Sequence, residues 1–140
     1  MLRRPKDERG FTLVELLVVI LIMGILAAIA LPAFIAQRSR AQDGKAKAFA
    51  ATAAKAMVVY NYKTDTFAGA TVADLVDAEP SLGTANNLRV SSTAGTFEVS
   101  VDSDSTQGGV TFTVRWLANG TTDQVCAVAG RGGCSAAGTW

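Results

Sequence analysis

The sequence predicts an α+β fold: a long amino-terminal helix, its first half transmembrane, packed on a small antiparallel β-sheet head. Three observations carry that prediction. Residues 16–36 form a run of 21 residues without a formal charge, close to the amino terminus. Residues 37–63 continue in strong helix formers, chiefly Ala with Lys, Gln and Arg. Beyond Thr64 the composition turns to Thr, Ser, Gly, Asp and Val, with apolar and polar residues alternating in short runs.

The bulk numbers bound the function. The chain has 140 residues, which suits one domain. Its formal net charge is +1, so no global field recruits nucleic acid or an acidic surface. It has no His, which removes the commonest general base and the commonest metal ligand. Ser, Thr and Cys are present, yet without His no Ser-His or Cys-His nucleophile can be built. The two cysteines, Cys126 and Cys134, are too few for a four-ligand zinc site. If the carboxyl-terminal region lies outside the cytosol, they are a candidate disulfide. The expectation is therefore no catalytic residue, no metal and no cofactor.

The elements follow in chain order. Residues 1–10 carry four basic and two acidic side chains. The apolar run behind them is long enough to cross a bilayer core of roughly 30 Å as a helix. A basic leader ahead of an apolar run stays cytoplasmic, so everything after Gln37 faces outward. Three readings compete: a plain membrane anchor, a secretory signal removed after its apolar stretch, and a precursor cut before that stretch. Ala28-Ile29-Ala30 is a small-x-small site that a signal peptidase accepts, which would release a secreted binding domain after Ala30. Against it, the run stays apolar through Leu31, Phe34 and Ile35, and Glu15 stands at its start.

Glu15 is the informative residue. A carboxylate deep in hydrocarbon costs roughly 2.5–3.5 kcal/mol and calls for a partner. Cleavage after Gly10 would give Phe11 a free amine four residues from Glu15, on the same helical face. The helix amino terminus also favours a negative side chain there. On local physics alone, Glu15 equally marks the point where the helix enters the headgroups.

Gly10-Phe11-Thr12-Leu13-Val14-Glu15-Leu16-Leu17-Val18-Val19-Ile20 resembles the processing motif of type IV prepilins and pseudopilins. The likeness continues through Gly24-Ile25-Leu26-Ala27-Ala28-Ile29-Ala30-Leu31-Pro32 and covers about 30 residues. The remainder of the chain resembles the family in layout only. The resemblance implies cleavage between Gly10 and Phe11 by a prepilin peptidase that also methylates the new Phe11 amine. It implies that Glu15 pairs with the amino terminus of a neighbouring subunit during assembly. It also implies the partners: other copies of the chain in a helical homopolymer, the membrane, the peptidase and a pilus assembly machinery, with no specific nucleic acid. The precursor would sit in the inner or cytoplasmic membrane and the mature subunit in a filament at the cell surface. A pseudopilin of a type II secretion or DNA-uptake system shares the same motif and is the nearest rival.

One helix over residues 11–62 would extend roughly 78 Å at 1.5 Å per residue. A helix of that length cannot bury itself in so short a chain; its first half needs lipid or other copies, its second half a head. Along the second half Ala33, Ala41, Ala48, Ala51 and Ala54 alternate with Arg38, Arg40, Lys45, Lys47 and Lys55. Neighbours in a filament should largely cover those cations. Met57, Val58, Val59, Tyr60 and Tyr62 form an apolar end on which the sheet is expected to pack. Gly24 and Pro32 interrupt the apolar half as a tolerated transmembrane kink, and in related filaments the segment between such residues loses helicity on assembly. Gly44 weakens the second half by roughly 1 kcal/mol relative to Ala.

In the head, Thr71 and Asp74 set a helix start, and Pro80 ends that element. Strands are expected over residues 87–91, 96–101, 110–117 and 124–128. Cys126 falls in the last and Cys134 in the Gly-rich tail; a carboxyl-terminal disulfide agrees with the family resemblance. Asp102-Ser-Asp104-Ser-Thr-Gln-Gly108 has a superficial likeness to a calcium loop, but lacks the third acid or amide, its glycine and the terminal Glu. It reads as a solvated hairpin turn. The organisation expected is a leader over 1–10, a transmembrane and filament-core half over 11–36, a head-packing half over 37–63, and a sheet head with its disulfide loop over 64–140.

Overall fold

The computed structural model describes residues 11–105 and 109–140. The expected leader, including Gly10, lies outside the described residues. Helix α1 spans Leu13–Thr64, 52 residues, and stays α-helical through Gly24, Pro32 and Gly44. The chain divides into two compact units, one ending at Ala36 and the other Gln37–Trp140.

In the first unit, the described part of α1 is apolar and exposed all round. Leu13, Val14, Leu16, Leu21, Met23, Leu26, Ile29, Leu31 and Phe34 are all solvent-facing. The helix is long and apolar enough to cross a membrane. No face of it is reserved for a core, which is how a lipid-covered or helix-covered segment reads.

The second unit is an α+β head. Helix α2, Val72–Ala78, starts with a complete capping box: Asp74 N–H donates to Thr71 Oγ1, and the Asp74 carboxylate accepts from Thr71 N–H at 2.8 Å. Pro80 opens a 3₁₀ turn, Pro80–Thr84, which the sequence reading had not assigned. Its ring fixes the φ such a first turn needs. Four strands follow as a plain antiparallel meander: β1 Arg89–Ser92, β2 Phe97–Asp102, β3 Thr111–Trp116 and β4 Thr122–Cys126. All four expected strands exist, each displaced by one or two residues at its ends.

The sheet packs on a stripe of small residues. Ala46, Ala50, Ala53 and Met57 recur at spacings of four, three and four along α1 and are buried. Facing them are Phe97, Val99 and Val101 of β2, Phe112 and Val114 of β3, Leu75 of α2 and Leu82 of the 3₁₀ turn. In register, Val99 lies opposite Val114 and Val101 opposite Phe112. Alanine leaves the sheet free to approach the helix backbone, and Met57 fills the wider end.

This corrects one expectation. The packing surface is not the whole apolar end of α1: Met57 is fully buried, whereas Tyr62 is 88 % exposed and Val58 and Val59 are about half exposed. A 3.6-residue period spreads consecutive positions around the whole helix, so an apolar block of that length cannot all face the sheet. Along the rest of this half, Ala46, Ala50, Ala53 and Ala56 are the buried alanines.

Candidate functional site

The amino-terminal turn holds Phe11 and Glu15, for which a chemical role is expected. Thr12 precedes α1 and its side-chain oxygen accepts from Glu15 N–H at 3.2 Å, while Leu16 N–H donates to Thr12 C=O at 3.2 Å. Thr12 is thus the cap of α1, a role the sequence reading missed. The signal was present: Thr12-x-x-Glu15 ahead of an apolar run is a helix-start pattern. The cap fixes where the first turn begins. Glu15 consequently lies in that turn, at the positive end of the helix dipole. Among the described residues the Glu15 carboxylate has no ion-pair or hydrogen-bond partner. Phe11 is exposed one turn away, and the structure does not bring the two side chains together.

At the other end of the chain the two expected cysteines do meet. Cys126 and Cys134 are disulfide-bonded, with Cα atoms 6.3 Å apart. Around them the tail is tied back to β4: Cys126 N–H donates to Gly138 C=O at 2.8 Å, and Val125 bridges to Thr139. Trp140 sets its ring edge-on to Phe112 at 5.9 Å.

Among the polar contacts between α1 and the head are two that sequence reasoning did not find. Lys47 Nζ donates to Gly133 C=O at 2.9 Å and lies 5.1 Å from the Phe112 ring centre. Asp43 is only 6 % exposed, and its carboxylate accepts from Ser103 Oγ at 2.5 Å. Gly132 makes that approach possible. Its φ is +61°, and a Cβ there would stand 3.1 Å from Val110 and 3.2 Å from both Asp43 and Phe112.

For the acidic loop, among the described residues no group of three or more His, Cys, Asp or Glu that could hold a metal ion is gathered. Residues 106–108 of that loop lie outside them. Asp102 is instead committed to the protein: it accepts from Arg89 at 2.9 Å, Asn87 at 2.6 Å and Thr111 at 2.6 Å. Partial burial pushes its carboxyl up, but the donors from Thr111, Arg89 and Asn87, with the Arg89 charge, outweigh that and hold it below the ordinary carboxylate value.

Residues 5–31 match the family of the prokaryotic N-terminal methylation motif. The chain is 37 % identical over 92 residues to the type IV major pilin protein PilA of Myxococcus xanthus, covering 66 % of this chain and 41 % of that one. It is 39 % identical over 62 residues to the type IV wide pilus major component PilA4 of Thermus thermophilus, covering 44 % of this chain and 47 % of that one. Over 39 residues it is 56 % identical to the type IV major pilin protein PilE1 of Neisseria gonorrhoeae, covering 28 % of this chain and 24 % of that one. The matched stretches span less than half of these relatives' own lengths. No solved structure matches the chain significantly.

Proposed function

We propose, from the premise that this chain belongs to the type IV prepilin family, that it is a structural subunit of a pilus-like filament and not an enzyme. The observation that carries the proposal is the methylation motif lying on the capped start of a helix whose apolar side chains face outward on every side. Such a helix is stable in lipid or among like helices, and nowhere else.

A prepilin peptidase removes residues 1–10 by cutting between Gly10 and Phe11, and methylates the Phe11 amine. Before assembly, residues 11–36 hold the subunit in the membrane; afterwards they form the filament core, with the head outward at the cell surface. Apolar contact alone gives little register there, because lipid and neighbouring helices are similarly apolar. The Glu15 carboxylate supplies it by meeting the Phe11 amine of a neighbouring copy, a directional and charge-assisted contact in a dry setting. The capped first turn supports this role, since it holds Glu15 at a fixed place on the helix. The pilus assembly machinery is the remaining partner.

Mass spectrometry of the mature protein tests the processing. The expected amino terminus is Phe11 with one methyl group, and Gly10→Val leaves a full-length precursor. A mature protein beginning at Leu31 would instead establish a secreted domain. Glu15→Ala and Glu15→Gln should both be cleaved and inserted normally, yet enter filaments poorly. Normal incorporation of both variants refutes the assembly role of Glu15.

A further inference from the structure

Charge is unevenly distributed over the second unit. Its first eleven residues, 37–47, carry Arg38, Arg40, Lys45 and Lys47 against a single acid, Asp43. Residues 64–140 carry eight acids against Arg89, Arg115 and Arg131. The one acid of the basic segment is turned inward: Asp43 is 6 % exposed and accepts from Ser103 Oγ. Its cations are not paired in that way. Among the described residues Arg38, Arg40 and Lys45 are exposed and have no ion-pair partner.

Two of these cations also line a hollow. Arg40, Asp43, Gly44 and Lys47 form one wall of it, and Gly132 and Gly133 of the carboxyl-terminal loop form the other. The three glycines put no side chain into it. Space beside Gly44 is open, whereas a Cβ on Gly133 would stand 3.1 Å from Lys47 Nζ. Lys47 Nζ is held there by Gly133 C=O at 2.9 Å and lies over the Phe112 ring. That hydrogen bond uses one of the three ammonium donors and leaves the others for an outside acceptor. With the Asp43 carboxylate already engaged by Ser103, the hollow offers two cations at a concave, uncrowded surface. Such a surface admits a phosphate group.

We infer that Arg38, Arg40, Lys45 and Lys47, with this hollow, bind the phosphate headgroups of anionic phospholipids in the bilayer that the unassembled subunit spans. The inference rests on the membrane reading above and adds to it a lipid class and a site. The apolar run of 21 residues is about 31 Å long as a helix, which matches a bilayer core. With that run in the core, Arg38 and Arg40 stand about 3 and 6 Å beyond its edge, inside a headgroup layer about 5–7 Å deep. Lys45 and Lys47 stand about 13–16 Å out. Their long side chains and a Debye length of about 8 Å keep them within the field of an anionic surface. Each Lys or Arg at such a surface strengthens attachment about fivefold. The acids that predominate in residues 64–140 are repelled by the same surface, which favours segment 37–47 as the part in contact. Before assembly this contact holds the head at the headgroups, and entry into a filament requires its release.

Lysine acylation of the full chain in vesicles tests the site. The chain is reconstituted in phosphatidylcholine alone or in an equal mixture with phosphatidylglycerol, treated with an uncharged acylating ester and digested for mass spectrometry. Lys45 and Lys47 should react at least about threefold more slowly when phosphatidylglycerol is present. Lys55 and Lys63, exposed farther along the helix, should react equally in both. Concentrated salt should abolish the difference, and the double variant Arg38→Gln, Arg40→Gln should diminish it. Equal rates in the two vesicles, slowing of all four lysines alike, or full protection in the double variant overturns the inferred site. The same protection by inorganic phosphate in phosphatidylcholine vesicles would assign a free anion to the hollow and also overturn it. Each of these results leaves the membrane reading intact; failure of the chain to float with either kind of vesicle overturns that reading itself.

Discussion

Replacing Cys126 and Cys134 together by alanine removes the covalent tie between β4 and the carboxyl-terminal tail. The bond joins residues eight apart in sequence. Closing so short a loop restricts the unfolded chain by about 2.5 kcal/mol on the chain-entropy account. The non-covalent ties remain in the variant: the Cys126 backbone bond to Gly138, the Val125–Thr139 bridge and the Lys47 contact with Gly133. The head should thus stay folded with a lower midpoint. For a unit the size of Gln37–Trp140, that loss corresponds to a fall of about 10 °C in the thermal midpoint. Both tryptophans, Trp116 and Trp140, lie in the head, so their fluorescence reports its unfolding without interference from the apolar helix. The melt is best run on the full chain in detergent micelles, with wild type, reduced wild type and the double variant side by side. Reduced wild type and the variant should melt together, because loop closure is what both lack. A shift below about 2 °C, or a variant that melts well below the reduced wild type, refutes loop closure as the source of the stabilisation.

Met57→Ala should destabilise the head by about 2–5 kcal/mol, the cost of emptying a fully buried site that cannot collapse. Val58→Ala, its half-exposed neighbour, should stay within about 0.5 kcal/mol; equal urea midpoints for the two would refute the assignment of the buried face. The Asp102 carboxyl is held below its ordinary value in the fold. Its contribution to stability is therefore complete above the unfolded pKa of about 3.9 and is lost as the pH falls through the lower, folded value. Asp102→Asn should accordingly be less stable than wild type at neutral pH, with the gap closing in strong acid. A gap of constant size across that range would show that the carboxylate's charge plays no part.

What the sequence made legible was whatever a single periodicity fixes. The extent of α1 follows from residue preferences summed over many turns, which outweigh Gly24, Pro32 and Gly44. Strands β2 and β3 follow from alternation, since Phe97, Val99 and Val101 must share a side once Glu98 and Ser100 take the other. The start of α2 follows from Thr71 and Asp74, whose hydrogen bonds are local and need no tertiary partner. The packing side of α1 was not legible in this way. From Ala46 to Tyr62 almost every position on the helix is small or apolar, so no polar stripe marks the outside. The sheet chooses one line of alanines by shape, and shape belongs to both surfaces at once.

The charged residues on α1 are of two kinds. Asp43 and Lys47 are four apart, the spacing of a self-contained helical ion pair worth about 0.2–0.5 kcal/mol. Each instead leaves the helix for the head, Asp43 to Ser103 and Lys47 to Gly133. Their partners are remote in sequence but belong to the same chain, so folding one copy is enough to reveal them. Glu15 differs in kind. Its backbone is satisfied locally by Thr12, yet within the described residues its carboxylate meets nothing. On the filament reading proposed above, this charge, fixed at the head of an apolar helix by a cap, meets its partner outside the subunit. On this reading the subunit is complete in its head and incomplete in its helix, and that incompleteness is what drives one copy toward the next.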